Sequence, residues 1–242
     1  MNSEAPVLGF YETYTSKDLG EFLIYALEDR IHFQVDPIKV GNNEYAPINE
    51  FHQKFRVNID SENRFVDSPE IGYALAKDTS RINEILAFQL EEHWFEVDKI
   101  KFAWSKHSTT FYDLDGEYYI LYGLKLDAND APRISSKDID SVQNYVDPES
   151  KKSFISVMMN EAAKLKWAQM SLENRRKCIA IASIDKVLSA PTIHEPITGD
   201  ETVISGDFSL EETQAFVDLF NCDAYKREIG QAAFEKEMAE CN

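Results

Sequence analysis

The segment SFISVMMN (Ser153–Asn160) alternates as a strand. It passes without a loop into EAAKLKWAQMSLEN, where Ala162, Leu165, Trp167 and Met170 are among the apolar positions of a helix. This strand-into-helix unit recurs along the chain. PVLGFYETYT leads into SKDLGEFLIYALEDRI, with Ser16 as N-cap and Leu19, Phe22, Leu23, Ala26 and Leu27 on one stripe. EIGYALAK leads into DTSRINEILAFQLEEHWF, with Asp78 as cap and Ile82, Ile85, Leu86 and Leu90 facing the core. SLEETQAFVDLF has Ser209 followed three residues later by Glu212, a capping box, with Leu210, Ala215, Phe216 and Leu219 as its apolar face.

Between these units lie strands with no helix after them. IKFAWSKH and GEYYILYGLKLD, joined through YDLDG, read as an antiparallel pair. FRVNI, DIDSVQNYVD and CIAIASID add further strands. KVLSAPTIHEPITGDETVISGDF (Lys186–Phe208) reads as two short strands and a turn, with Gly199 permitting the turn. The class this predicts is α+β: a mixed, largely antiparallel sheet with helices packed on one face. Two lobes are expected, 1–135 and 136–242, with the seam in ANDAPRISSKDIDSVQNYVDPESKK (128–152).

A chain of 242 residues can bury a substantial core. Its 25 Lys and Arg against 43 Asp and Glu give a formal net charge of −18. Such a surface repels phosphate backbones and anionic lipid, so nucleic acid and acidic membrane are excluded as general partners. No stretch has the run of apolar residues that a membrane span needs, and MNSEAPVLGF is unlike a signal peptide.

Catalytic and metal-ligating patterns are missing. None of the five histidines, His32, His52, His93, His107 and His194, falls in a metal-ligand spacing. There is no nucleophile elbow and no phosphate-cradling glycine loop. His194 and Glu195 are adjacent, and neighbours on a strand point to opposite faces. Asp113, Asp115 and Glu117 in DLDGE suggest part of a calcium loop, but the other ligands are lacking and a polar turn accounts for them. Cys178, Cys222 and Cys241 form no CxxC pair, and Cys178 reads as a small buried residue. The residues alone therefore assign no catalytic group, cofactor or metal.

One ordered set of residues resembles a known family. Met159-Asn160, Ala163 to Trp167, Asn174, Ile179-Ala180-Ile181, Ser189-Ala190-Pro191, Ile197 to Asp200 with Gly199, Ile204-Ser205-Gly206, Phe208 and Glu211-Glu212 follow the pattern of the SecD/SecDF protein-export family over 153–223. The similar region is the head of that family's large extracytoplasmic domain. Weaker echoes occur in LGFYETYTSKDLGEFL, IGYALAKDTSRINEIL, FAWSKH and YYILYGLKL. Asp200 departs from the pattern, standing where a second glycine is usual, and a glycine there could need a positive φ.

The resemblance implies a non-enzymatic module on the extracytoplasmic side of a membrane. Such a module would bind polypeptide or a Sec-type translocation or envelope protein, and would need no cofactor. It also implies that the matched residues shape the lobe and carry no chemistry. Two other readings compete: an acidic adaptor unrelated to export, acting on a basic partner, and a hydrolase with a metal near His194 or Asp113.

Overall fold

The computed structural model describes residues 7–29, 39–40, 43–44, 49–92, 99–112, 114–231 and 234. His32, His93, Trp94, Asp113 and Cys241 lie outside the described residues. The elements, in order, begin β1 (Gly9–Tyr14), α1 (Gly20–Glu28), β2 (Lys39–Val40), β3 (Asn43–Glu44), α2 (Glu50–Lys54), β4 (Phe55–Val57) and β5 (Glu70–Leu75). They continue α3 (Thr79–Glu92), β6 (Ile100–Ser105), β7 (Tyr118–Lys125), β8 (Ile134–Ser135), β9 (Ile139–Val146) and β10 (Ser153–Met159). The last are α4 (Glu161–Glu173), β11 (Ile179–Ser183), β12 (Lys186–Ser189), β13 (Glu201–Phe208) and α5 (Leu210–Ile229). The fold is α+β, as the strand-and-helix pattern predicts.

The chain divides into two compact units, residues 13–126 and residues 1–12 with 127–242. In the unit of 13–126, β4, β5, β7 and β6 pair antiparallel in that order. Thr13 and Tyr14 add a short pairing to Leu124 and Gly123. Phe22 and Leu23 of α1, Phe51 of α2 and Ile82, Ile85 and Leu86 of α3 are buried in one core with Phe55, Ile71, Trp104 and Leu121 of the strands. Trp104 keeps its indole N–H satisfied by donating to Asn83 Oδ1 at 2.9 Å.

Two of the expected caps are placed otherwise. Ser16 is buried and donates its hydroxyl to Val66 O at 2.7 Å, fixing the loop before Glu70. The reciprocal cap falls one residue earlier, with Asp18 N–H donating to Thr15 Oγ1 and Thr15 N–H to Asp18 Oδ2. Asp78 ends a short 3-10 turn, Ala76–Asp78, and accepts from Lys54 Nζ at 2.8 Å. In both cases a tertiary partner takes the side chain that local sequence would give to the helix end.

In the other unit, β12, β11, β1 and β8 pair antiparallel, with Gly9 and Phe10 of β1 between β11 and β8 and Tyr11 and Glu12 paired with β11. A second sheet runs β13–β10–β9, also antiparallel. Helices α4 and α5 cover one face of this second sheet. Its inward side chains, Val142, Ile155, Val157 and Ile204, share a core with Phe10, Ile179, Trp167, Met170, Phe216 and Phe220.

The buried stripes of α4 and α5 differ from those the sequence suggests. Helix α4 buries Ala163, Trp167, Met170 and Ser171, while Ala162 is exposed and Leu165 is 74% exposed. Helix α5 buries Thr213, Phe216, Val217 and Phe220, leaving Leu210, Ala215 and Leu219 outside. Both helices have apolar residues on more than one face, so periodicity alone does not choose the inner one.

Candidate functional site

Most of the expected motif residues sit at chain reversals in the unit of 1–12 and 127–242. Asn160 caps α4, its Oδ1 accepting from Ala163 N–H at 2.9 Å. Asn174 closes the same helix, buried, with Nδ2 donating to Met170 O at 2.9 Å. Ser209 and Glu212 form the capping box of α5, satisfying two backbone donors at once. Glu211 lies exposed in the first turn of that helix.

Lys186–Phe208 holds two strands, but they belong to different sheets. β12 pairs with β11, whereas β13 pairs with β10, so residues 190–200 form a connection longer than a hairpin turn. Ser189 ends β12, Ala190 is half-buried, and Pro191 is exposed with its carbonyl accepting from Ile179 N–H at 3.2 Å. Gly199 has no positive φ, and a Cβ there would meet nothing nearer than 3.8 Å. Asp200 needs no positive φ either, and its carbonyl accepts from Met159 N–H. Gly206 does have a steric reason: an added Cβ would lie 2.6 Å from the Phe208 ring. Ile204 is buried and Phe208 packs against the core.

Trp167 is 2% exposed and meets Phe10 edge-on at 5.2 Å. Its indole N–H has no hydrogen-bond partner among the described residues. His194 and Glu195 are exposed, and Glu195 accepts from Arg175 Nη2 at 2.8 Å. Among the described residues no group of three or more His, Cys, Asp and Glu is placed to hold a metal ion. Cys178 is half-buried and lies 3.4 Å from the Thr192 hydroxyl.

Two surfaces stand out instead. The first is the outer face of β13–β10–β9. Residues whose partners face inward alternate with Tyr145, Phe154, Met158 and Val203, which face out. Tyr145 and Val203 are 53% and 54% exposed, and the Tyr145 and Phe154 rings lie 6.3 Å apart. Gln143 and Ser156 stand between them, and Ser156 donates to Glu201 Oε1 at 2.7 Å. The face is thus apolar with hydrogen-bonding groups interspersed.

The second is a cleft of about 730 Å³ within the same unit. The 3-10 turn Ser136–Asp138, the β11–β12 turn, the last turns of α5 and Phe234 form its walls. The first wall is tied down by side-chain hydrogen bonds. Asp138 Oδ2 accepts from Ser135 N–H and hydroxyl, Oδ1 accepts from Lys166 Nζ at 2.8 Å, and Ser136 Oγ accepts from Leu8 N–H. The second carries Ile184 at φ +55°, a conformation that costs a β-branched residue about 1–3 kcal/mol. Asp185 follows it. Burial, joined by the Asp185 charge, pushes the Tyr11 phenol up to about 12. Gly230, at φ +84°, ends α5, and Phe234 beyond it packs edge-on with Tyr225 at 6.4 Å.

The unit of 1–12 and 127–242 is thus a mixed α+β unit with capped strand–helix junctions and an open sheet face. Residues 117–224 match the family model of the SecDF P1 head subdomain. The match begins just before β7, well ahead of Ser153, and ends in α5. The chain is 32% identical over 108 residues to the protein translocase subunit SecD of Calditerrivibrio nitroreducens, covering 39% of this chain and 21% of that protein. It is 35% identical over 63 residues to SecD of Rickettsia bellii, covering 26% of this chain and 12% of that one. The aligned stretches are thus a minor part of either relative. A solved SecDF, a membrane component that enhances protein export, aligns over 88% of this chain and 92% of its own at 16% identity and a TM-score of 0.36. Among the described residues no helix is long and apolar enough to cross a membrane.

Proposed function

We propose that this chain is a non-enzymatic module that binds polypeptide, in connection with protein export. The observation that carries this reading is the head-region match over residues 117–224. The outer face of β13–β10–β9 supplies a physical means. Tyr145, Phe154, Met158 and Val203 give apolar contact to an extended segment, and Gln143 and Ser156 give hydrogen bonds without demanding one sequence. Sec-type channel or envelope proteins are the partners the family suggests, on the extracytoplasmic side.

The test places a photo-crosslinking residue at Tyr145 or Val203 and exposes the protein to a reduced, unfolded polypeptide and to Sec channel components. Crosslinks enriched over those of an unrelated acidic protein are expected. Background-level crosslinking at both positions sinks the reading.

A further inference from the structure

Helix α4 has two apolar faces. Ala163, Trp167, Met170 and Ser171 form the buried one. On the opposite face Leu165 and Leu172 are 74% and 59% exposed, the highest values for large aliphatic side chains among the described residues. They stand two turns apart, with half-buried Ala168 and exposed Gln169 between them. A single exposed leucine is ordinary, but two on one line with an alanine between them make a seam that fits a second helix.

The charges at the two ends of this seam are opposite. Glu161 lies exposed in the first turn of α4. Arg175, Arg176 and Lys177 follow its last turn and are all exposed. Their backbone is held in place, since Arg176 N–H donates to Ile193 O at 2.7 Å and Ile193 N–H donates to Lys177 O at 2.9 Å. Arg175 is engaged with Glu195. Among the described residues Glu161, Arg176 and Lys177 form no ion pair.

We infer that α4 is the interface of a symmetric dimer, packed antiparallel against α4 of a second copy. A two-fold axis beside Ala168 sets Leu165 against Leu172 of the partner subunit, and Leu172 against Leu165 of the partner subunit. It also brings each Glu161 to the cationic segment that follows the other helix. Reciprocal contacts of this kind are what a two-fold interface requires. Ala168 lets the helices approach closely, and Gln169 supplies a hydrogen-bonding pair next to the axis. A parallel pair has no such match, because Glu161 would face Glu161 and Arg176 would face Arg176. The charge of −18 on each copy opposes association, and the seam is short, so the dimer should be weak and rapidly reversible. The seam lies on the side of the β13–β10–β9 sheet away from Tyr145 and Val203, so it stands whether or not that face takes polypeptide.

Sedimentation equilibrium of the full chain over about 10–500 µM should show a reversible monomer–dimer equilibrium. Leu165→Glu should raise Kd at least about tenfold, with the thermal midpoint in dilute solution unchanged. Glu161→Arg should weaken the dimer roughly three- to tenfold, although it lowers the net negative charge. Arg176→Glu should weaken it too, and the two together should restore it at unchanged net charge. Disulfide formation reads the register, with Cys178, Cys222 and Cys241 replaced by serine. Leu165→Cys mixed with Leu172→Cys should crosslink. Each alone should not, since like positions stand about 10 Å apart along the helix axis. A monomer at every concentration overturns the proposal and gives the seam to a different partner. A dimer that Leu165→Glu leaves intact overturns it as well, as does a double charge variant no tighter than either single one. Crosslinking of polypeptide through Tyr145 and Val203 should be indifferent to Leu165→Glu, so failure of the seam and failure of the sheet face are separate results.

Discussion

At Asp138, burial and hydrogen bonding pull in opposite directions. Burial acts to raise its carboxyl, while Lys166 and the Ser135 N–H and hydroxyl outweigh it and hold the group below the usual carboxylate range. A depressed carboxylate contributes stability above its unfolded value, about 3.9, and loses it as pH falls through the folded value. Asp138→Asn should therefore cost about 1–3 kcal/mol near neutrality. It should also flatten the loss of stability below about pH 4, as denaturant melts over pH 2–7 will reveal. Tyr11 gives the opposite sign. Its phenol is raised, so its contribution is complete below about pH 10 and is lost as pH rises towards 12. Ultraviolet titration should show one tyrosine ionising late, and Asp185→Asn should bring it earlier. Neither residue announces itself in sequence. Asp138 sits in an unremarkable SKDID, and its weight comes from Lys166, 28 residues on.

Helices were the most legible elements, and their inner faces the least. The capping box at Ser209 and Glu212 marks the start of α5 to the residue. The stripe then fails, because Leu210, Ala215 and Leu219 are as apolar as the residues that are buried. Only contact with β9 and β10 selects Phe216, Val217 and Phe220. Paired substitutions test this choice. Phe216→Ala and Trp167→Ala should each cost about 3–5 kcal/mol in chemical denaturation. Leu165→Ala and Leu210→Ala should stay within about 0.5 kcal/mol. Comparable losses in the two sets would reverse the assignment of faces. The caps at Ser16 and Asp78 misled for a related reason: Val66 and Lys54, remote in sequence, claim those side chains.

For the whole molecule, local pattern gave the α+β class and the order of elements, but pairing depends on residues far apart. The open sheet face could not be read in advance either, since it depends on which side of β10 the helices cover. We propose that the division of the chain at 135/136 is better drawn by returning residues 1–12 and 127–135 to the C-terminal part. Residues 136–242 alone lack Leu8, Phe10 and Ile134 from their core. That piece should show no cooperative melt in calorimetry. A cooperative transition matching that of the intact chain would refute the division.

The place of β1 also imposes an order on synthesis. Gly9 pairs with Ala182 and Phe10 with Ile181, so the strand must wait for a partner that is translated much later. At bacterial or eukaryotic elongation rates the delay is roughly 10–35 s. During that interval residues 13–126 can close on themselves and Gly9 and Phe10 can reach β8, while Tyr11 and Glu12 still lack their β11 partners. A ribosome-bound chaperone would find its opening there, before residues 127–242 are complete and shelter the strand.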